Sequence, residues 1–190
     1  SKDCIICNVG NNPYTITVSG PNVSNYDVEY VNGSLTVSAA SLMVTANNIS
    51  AIYGDTPQFT SLIEGLLNGD DENSVFGNSI SYSILCSSCG VSDSPHEITV
   101  TGESSSNYTV DFIKGNLTVT PADLVIEVNN ASIVYGESVT TSTANGVSIT
   151  GFKYTDIGTD LIGTLSYFTN DCSQCSVGSS YTLSANGLSS

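Results

Sequence analysis

The sequence contains no arginine and only three lysines, Lys2, Lys114 and Lys153, against 18 acidic residues, for a formal net charge of −15. A chain so poor in cations lacks the basic footprint that neutralises phosphates, which excludes DNA and RNA as partners. The same field repels an anionic leaflet, and no apolar run approaches the roughly 20 residues that span a bilayer, so no direct membrane insertion is expected. Tryptophan is absent, and His96 is the one histidine. There is no Ser-His-Asp order, no H-E-x-x-H pair, no G-x-S-x-G and no phosphate-binding glycine loop, so the sequence predicts no enzyme and no catalytic residue. Carboxylates are plentiful, yet nothing singles out a pair for glycoside hydrolysis. The chain opens at Ser1-Lys2-Asp3-Cys4 without a signal peptide or lipidation motif, and reads as a piece of something longer.

Ser, Thr, Asn, Gly, Val, Ile and Tyr dominate what is present, and β-branched and aromatic residues outnumber strong helix formers, which predicts a mainly β chain with little helix. A length of 190 residues leaves room for two or three small domains. The uniform negative charge is read as keeping a crowded surface protein soluble, rather than as recognition of a charged ligand.

Sliding the sequence against itself reveals an internal repeat at an offset of 82 residues. Cys4 and Cys7 fall on Cys86 and Cys89, Ile16-Thr17-Val18-Ser19-Gly20 on Ile98-Thr99-Val100-Thr101-Gly102, and Asn25-Tyr26 on Asn107-Tyr108. Gly33-Ser34-Leu35-Thr36-Val37 falls on Gly115-Asn116-Leu117-Thr118-Val119, and Tyr53-Gly54-Asp55 on Tyr135-Gly136-Glu137. Four extra residues between Ser138 and Val147 then raise the offset to 86, which carries Asp70 to Asp156, Gly77 to Gly163, and Cys86 and Cys89 to Cys172 and Cys175. Ser-Ala-Ala at 38–40 and Thr-Pro-Ala at 120–122 read as junctions, giving the back part of one module (1–40), a complete module (41–121) and the front of a third (122–190). A different phase, with a folded unit spanning the junction, is compatible with the same period.

Within a module, alternation at Tyr14, Ile16 and Val18, at Ile98 and Val100, at Leu117 and Val119, and at Leu124, Ile126 and Val128 predicts half-buried strands. Asn32-Gly33 suits a type I′ turn and predicts a hairpin over 26–37, with Lys114-Gly115 turning less ideally in the next copy. The segment Gly69 to Gly77 breaks the β rhythm with acidic residues and a closing glycine, and predicts a helix of about two turns. The expected order is strand, strand, short helix, strand, strand and a final hairpin. That order fits a β-grasp-like sheet crossed by a helix, with an immunoglobulin-like β-sandwich as the alternative. Tight junctions predict an elongated rod of stacked modules.

Six cysteines form three C-x-x-C pairs, one per module. A four-cysteine zinc site would need two pairs brought together, so the first reading is three local disulfides, Cys4–Cys7, Cys86–Cys89 and Cys172–Cys175. Free thiols or intermodule links, and metal or redox chemistry, are the other readings. Disulfides imply an oxidising, extracytoplasmic location. Asp70, Asp71, Asp156 and Asp160 are candidate Ca²⁺ ligands by their hard oxygens, but the spacing is not that of an EF-hand, and a helix cap on a solvated face is the competing explanation. No other cofactor is expected. His96 falls on Tyr14 and approximately on Tyr181, and reads as a strand residue.

Tyr-Gly-Asp/Glu after a first strand, Ile-x-Gly, an acidic short helix, Ile-Thr-Val-x-Gly, Asn-Tyr-x-Val and a closing Gly-x-Leu-Thr-Val together resemble the MBG-type repeats, of the YGX kind, in giant bacterial surface proteins. The resemblance implies a secreted cell-surface adhesin, the gliding-motility adhesins included, with repeats that serve as spacers and carry no catalytic residue. Its partners would be neighbouring repeats of the same chain. Direct binding of polysaccharide or of a host or substratum surface through loops such as 138–147 is the alternative.

Overall fold

A computed structural model describes residues 7–21, 23–137, 145–169 and 176–189. The described chain is mainly β, as the composition predicts, and divides into two compact units, one of residues 1–51 and 56–119, the other of 52–55 and 120–190.

The first unit runs β1 (Tyr14–Ile16), β2 (Gly33–Leu35), β3 (Ala40–Ala46), β4 (Ile49–Ile52), β5 (Ser61–Glu64), α1 (Glu72–Phe76), β6 (Ser81–Ile84), β7 (His96–Thr101), β8 (Tyr108–Ile113) and β9 (Gly115–Thr120). β3 lies between β5, to which it is antiparallel, and β8, to which it is parallel. A second sheet has the order β4-β9-β7-β6, and β1 pairs with β2 in a small separate ladder. Period-two alternation turns Leu42, Val44 and Ala46 of β3, Ile98 and Val100 of β7, and Leu117 and Val119 of β9 into one core with Val75, Phe76 and Tyr108. Fully burying each aliphatic side chain stabilises by roughly 1.5–3 kcal/mol. The strands of residues 40–120 thus divide between two sheets, whereas a β-grasp has a single helix-crossed sheet.

The expected final hairpin does not form. β8 joins the sheet of β3 while β9 joins that of β7, so the chain passes from one sheet to the other at Lys114. Gly115 is selected for close approach and not for a turn: a Cβ there would collide with the Ala46 carbonyl, and Asn116 N–H donates to Asn48 Oδ1 at 2.8 Å. In the earlier copy Gly33 likewise sits inside β2, paired with Ile16, and residues 26–31 form no strand.

The helix is shorter than expected, five residues in place of about two turns. Asp71 Oδ1 accepts from Ser74 N–H at 2.7 Å and Ser74 Oγ accepts from Asp71 N–H at 2.8 Å, which starts it, while Gly77 at φ 60° ends it. Hydrogen bonding to the Ser74 backbone N–H first, and then to its side chain, holds the Asp71 carboxyl below its ordinary 3.8. At the equivalent position Ile157 has no acceptor, Asp160 Oδ2 alone accepts from Ile157 N–H at 2.6 Å, and only a 3-10 turn over Gly158–Asp160 forms. Asp71→Ala is expected to lower the denaturation midpoint at neutral pH. Because the folded carboxyl titrates below the unfolded one, its contribution is present above the unfolded value and lost as pH falls through the folded one. The difference from wild type should therefore close in acid, as measured by urea unfolding across a pH series.

The second unit contains β10 (Val125–Val128), β11 (Val147–Thr150), β12 (Ile162–Phe168) and β13 (Ser184–Ser189), paired antiparallel as β10–β11 and β12–β13. Val125 faces Thr150 and Ile126 faces Ile149, the register in which Met43 faces Glu64 and Val44 faces Ile63. Tyr14↔Leu35, Thr15↔Ser34 and Ile16↔Gly33 match His96↔Leu117, Glu97↔Asn116 and Ile98↔Gly115 in the same way. Of the insertion at 138–147, residues 138–144 lie outside the described residues. Its far end is tied back, with Asn129 N–H donating to the Gly146 carbonyl at 3.0 Å and Asn145 Nδ2 to the Asn130 carbonyl.

Candidate functional site: the cysteine clip and the Tyr-Gly turn

Between β6 and β7, Cys86 and Cys89 form a disulfide with their Cα atoms 5.2 Å apart. Cys7 is also disulfide-bonded, and Cys4, Cys172 and Cys175 lie outside the described residues. In each copy a ring side chain further along bonds the backbone of the residue that follows the second cysteine of the C-x-x-C pair. His96 Nε2 donates to the Gly90 carbonyl at 2.8 Å. Tyr14 hydroxyl donates to the Asn8 carbonyl at 2.8 Å and accepts from Asn8 N–H at 2.7 Å, and Tyr181 hydroxyl accepts from Ser176 N–H at 2.9 Å. His96, the first residue of β7, therefore does the work of a tyrosine. The equivalence of these positions was visible in the sequence, but their bond to the clip was not.

The four candidate Ca²⁺ ligands are distributed over separate tasks. Asp70 Oδ2 accepts from the Tyr108 hydroxyl at 2.6 Å. That bond, followed by burial, raises the Tyr108 phenol above its ordinary 10.0. Asp71 and Asp160 serve the two caps already described, and Asp156 accepts from Tyr53. Among the described residues, the group of metal-ligating side chains close enough to share an ion is Cys86, Cys89 and His96. Tyr108 is the functional position that sequence reasoning missed. Its hydroxyl also accepts from Leu67 N–H at 3.0 Å, so it locks the loop before α1 to β8. The repeated Asn-Tyr pair was the available signal, and Asn107 acts beside it by accepting from Val9 N–H at 2.9 Å.

Tyr53-Gly54-Asp55 and Tyr135-Gly136-Glu137 form the same turn. Asp55 N–H donates to the Ile52 carbonyl and Glu137 N–H to the Val134 carbonyl, each at 3.0 Å, and the glycines stand at φ 89° and 93°. Such a turn demands a residue without a Cβ. Around the first turn, the Tyr53 ring meets Tyr154 edge-on at 5.3 Å, and the Lys153 ammonium lies 3.4 Å from Asp55. A Cβ on Gly54 would lie 2.6 Å from the Lys153 side chain, so the glycine admits the lysine stem. Burial, then the bond to Asp156, raises the Tyr53 phenol. Around the second turn, Tyr135 is 72% exposed.

Within the first unit, two sheets and a fastened cysteine clip define a β module. Residues 42–118 match the family model of the MBG domain of the YGX type. No curated protein and no solved structure matches the chain. Among the described residues no helix is long and apolar enough to cross a membrane.

Proposed function

We propose that the chain is a non-catalytic stretch of tandem spacer repeats in a secreted cell-surface adhesin, supporting adhesion or surface motility by providing reach. The observation that carries this reading is the recurrence of strand registers and clip fastenings at repeat-equivalent positions. Residues that recur in this way act on backbone geometry and do not converge on a reactive centre. The disulfides fit an oxidising, extracellular location, and the acidic surface keeps a long array soluble. On this reading, the exposed Tyr135-Gly136-Glu137 turn receives a further copy's equivalent of the Lys153–Asp156 loop, as Tyr53-Gly54-Asp55 receives that loop here.

The test is small-angle scattering of the purified chain and of versions lengthened by whole repeats, together with a glycan array. The expected result is a rod whose maximum dimension grows in equal steps, with no glycan bound. Saturable glycan binding that disappears on deleting residues 138–147 would establish direct ligand binding instead, and turnover abolished by a single carboxylate substitution would establish an enzyme.

A further inference from the structure

Cys86, Cys89 and His96 are all half-buried, and their ligand atoms lie within 4.8 Å of one another. With the sulfurs joined as a disulfide, the group presents no thiolate. What sets this copy apart is position 96, where the other copies carry Tyr14 and Tyr181. A phenol makes the same backbone bond, Tyr14 to Asn8 beside the disulfide-bonded Cys7 and Tyr181 to Ser176, so that bond alone does not require an imidazole. The imidazole brings a second nitrogen. Facing a carbonyl, His96 Nε2 must carry the proton, so the neutral ring keeps its lone pair on Nδ1. An imidazole whose N–H is held by a backbone carbonyl while its other nitrogen is open to a metal is the usual arrangement of a metal-ligating histidine.

We propose that Cys86, Cys89 and His96 form a redox-gated site for Zn²⁺, closed while the disulfide stands and opened by a thiol or phosphine reductant. Reduction places two electrons and two protons on the S–S bond, breaks it and leaves two thiols, while the reductant is oxidised to its disulfide or phosphine oxide. Zn²⁺ then displaces the two thiol protons, giving a Cys₂His set with a fourth position for water. Thiolate and imidazole ligands select Zn²⁺ over the hard cations that the acidic surface attracts. Equivalent positions in the other two copies place a phenol where the imidazole stands, so one tight site is expected for the three C-x-x-C pairs. The inference is independent of the spacer reading.

The experiment is an anaerobic Co²⁺ titration of the whole chain reduced with excess phosphine, followed by Zn²⁺ competition. A sulfur-to-Co²⁺ charge-transfer band should saturate at one equivalent, vanish on Zn²⁺ addition, and be absent from the oxidised chain. His96→Tyr, which installs the residue of the other two copies, should keep the circular dichroism of the oxidised protein while weakening reduced-state affinity by about tenfold or more. Cys86→Ser should abolish the tight site. Equal affinity in wild type and His96→Tyr would overturn the proposal, as would three equivalent sites. If reduction unfolded the chain and its thiols bound metal indiscriminately, that same equality would appear.

Discussion

Leu117→Ala is expected to destabilise the first unit by about 2–5 kcal/mol, the range for truncating a leucine in a closed core. Leu117 is 2% exposed on β9, in the layer that holds Leu42, Val44, Ile98 and Val100. A cavity there has walls from both sheets, which cannot both move in, because β3 is pinned by β5 and β8 and β9 by β4 and β7. Total stability of a domain this size is only about 5–15 kcal/mol, so the loss is a large share of it. The internal control is Leu35→Ala. Leu35 faces Tyr14 as Leu117 faces His96, but it is 41% exposed, so it has less transfer free energy to lose and leaves no closed cavity. Urea unfolding followed by far-ultraviolet circular dichroism should show a large midpoint shift for Leu117→Ala and a small one for Leu35→Ala. Equal shifts would mean that the two-sheet core does not hold the unit together.

That contrast marks what the sequence could disclose. Alternation at Ile98 and Val100 and at Leu117 and Val119 located strands and their inward faces, because a period of two is a property of the strand itself. Which sheet a strand joins is not local information. Asn32-Gly33 and Lys114-Gly115 carried the signature of a turn, yet Gly115 is there because the Ala46 backbone, some seventy residues earlier, comes too close for a Cβ. The cysteine clip was legible from C-x-x-C spacing, and the equivalence of His96 with Tyr14 from the offset. That these rings fasten the residue after the clip depends on how the loop folds back. The carboxylates were ambiguous for the same reason. A spacing of acids cannot show that Asp70 meets Tyr108, which approaches from a distant strand, or that Asp71 is consumed by its own helix.

Gly65 and Gly151 provide the sharpest test that equivalence in sequence means equivalence in space. Gly65 stands at φ 101°, and a Cβ there would lie 2.7 Å from the Ser41 carbonyl oxygen; Gly151 stands at φ 108° with its Cβ 2.5 Å from that of Asp123. In both cases the obstacle is backbone, which cannot rotate away as a side chain can. Gly65→Ala is therefore expected to cost the roughly 1–3 kcal/mol of a disfavoured backbone conformation, with a further loss as β3 and β5 are forced apart. Gly69→Ala separates the two contributions, since Gly69 has φ 82° but nothing within 4 Å of its Cβ position, and should show the conformational part alone. The Gly151→Ala substitution should loosen β10 from β11 as Gly65→Ala loosens β3 from β5, read as faster amide exchange in those strands. If Gly65→Ala were no worse than Gly69→Ala, the close approach would not exist. If Gly151→Ala left exchange in β10 and β11 unchanged, the two registers would not be the same piece of architecture.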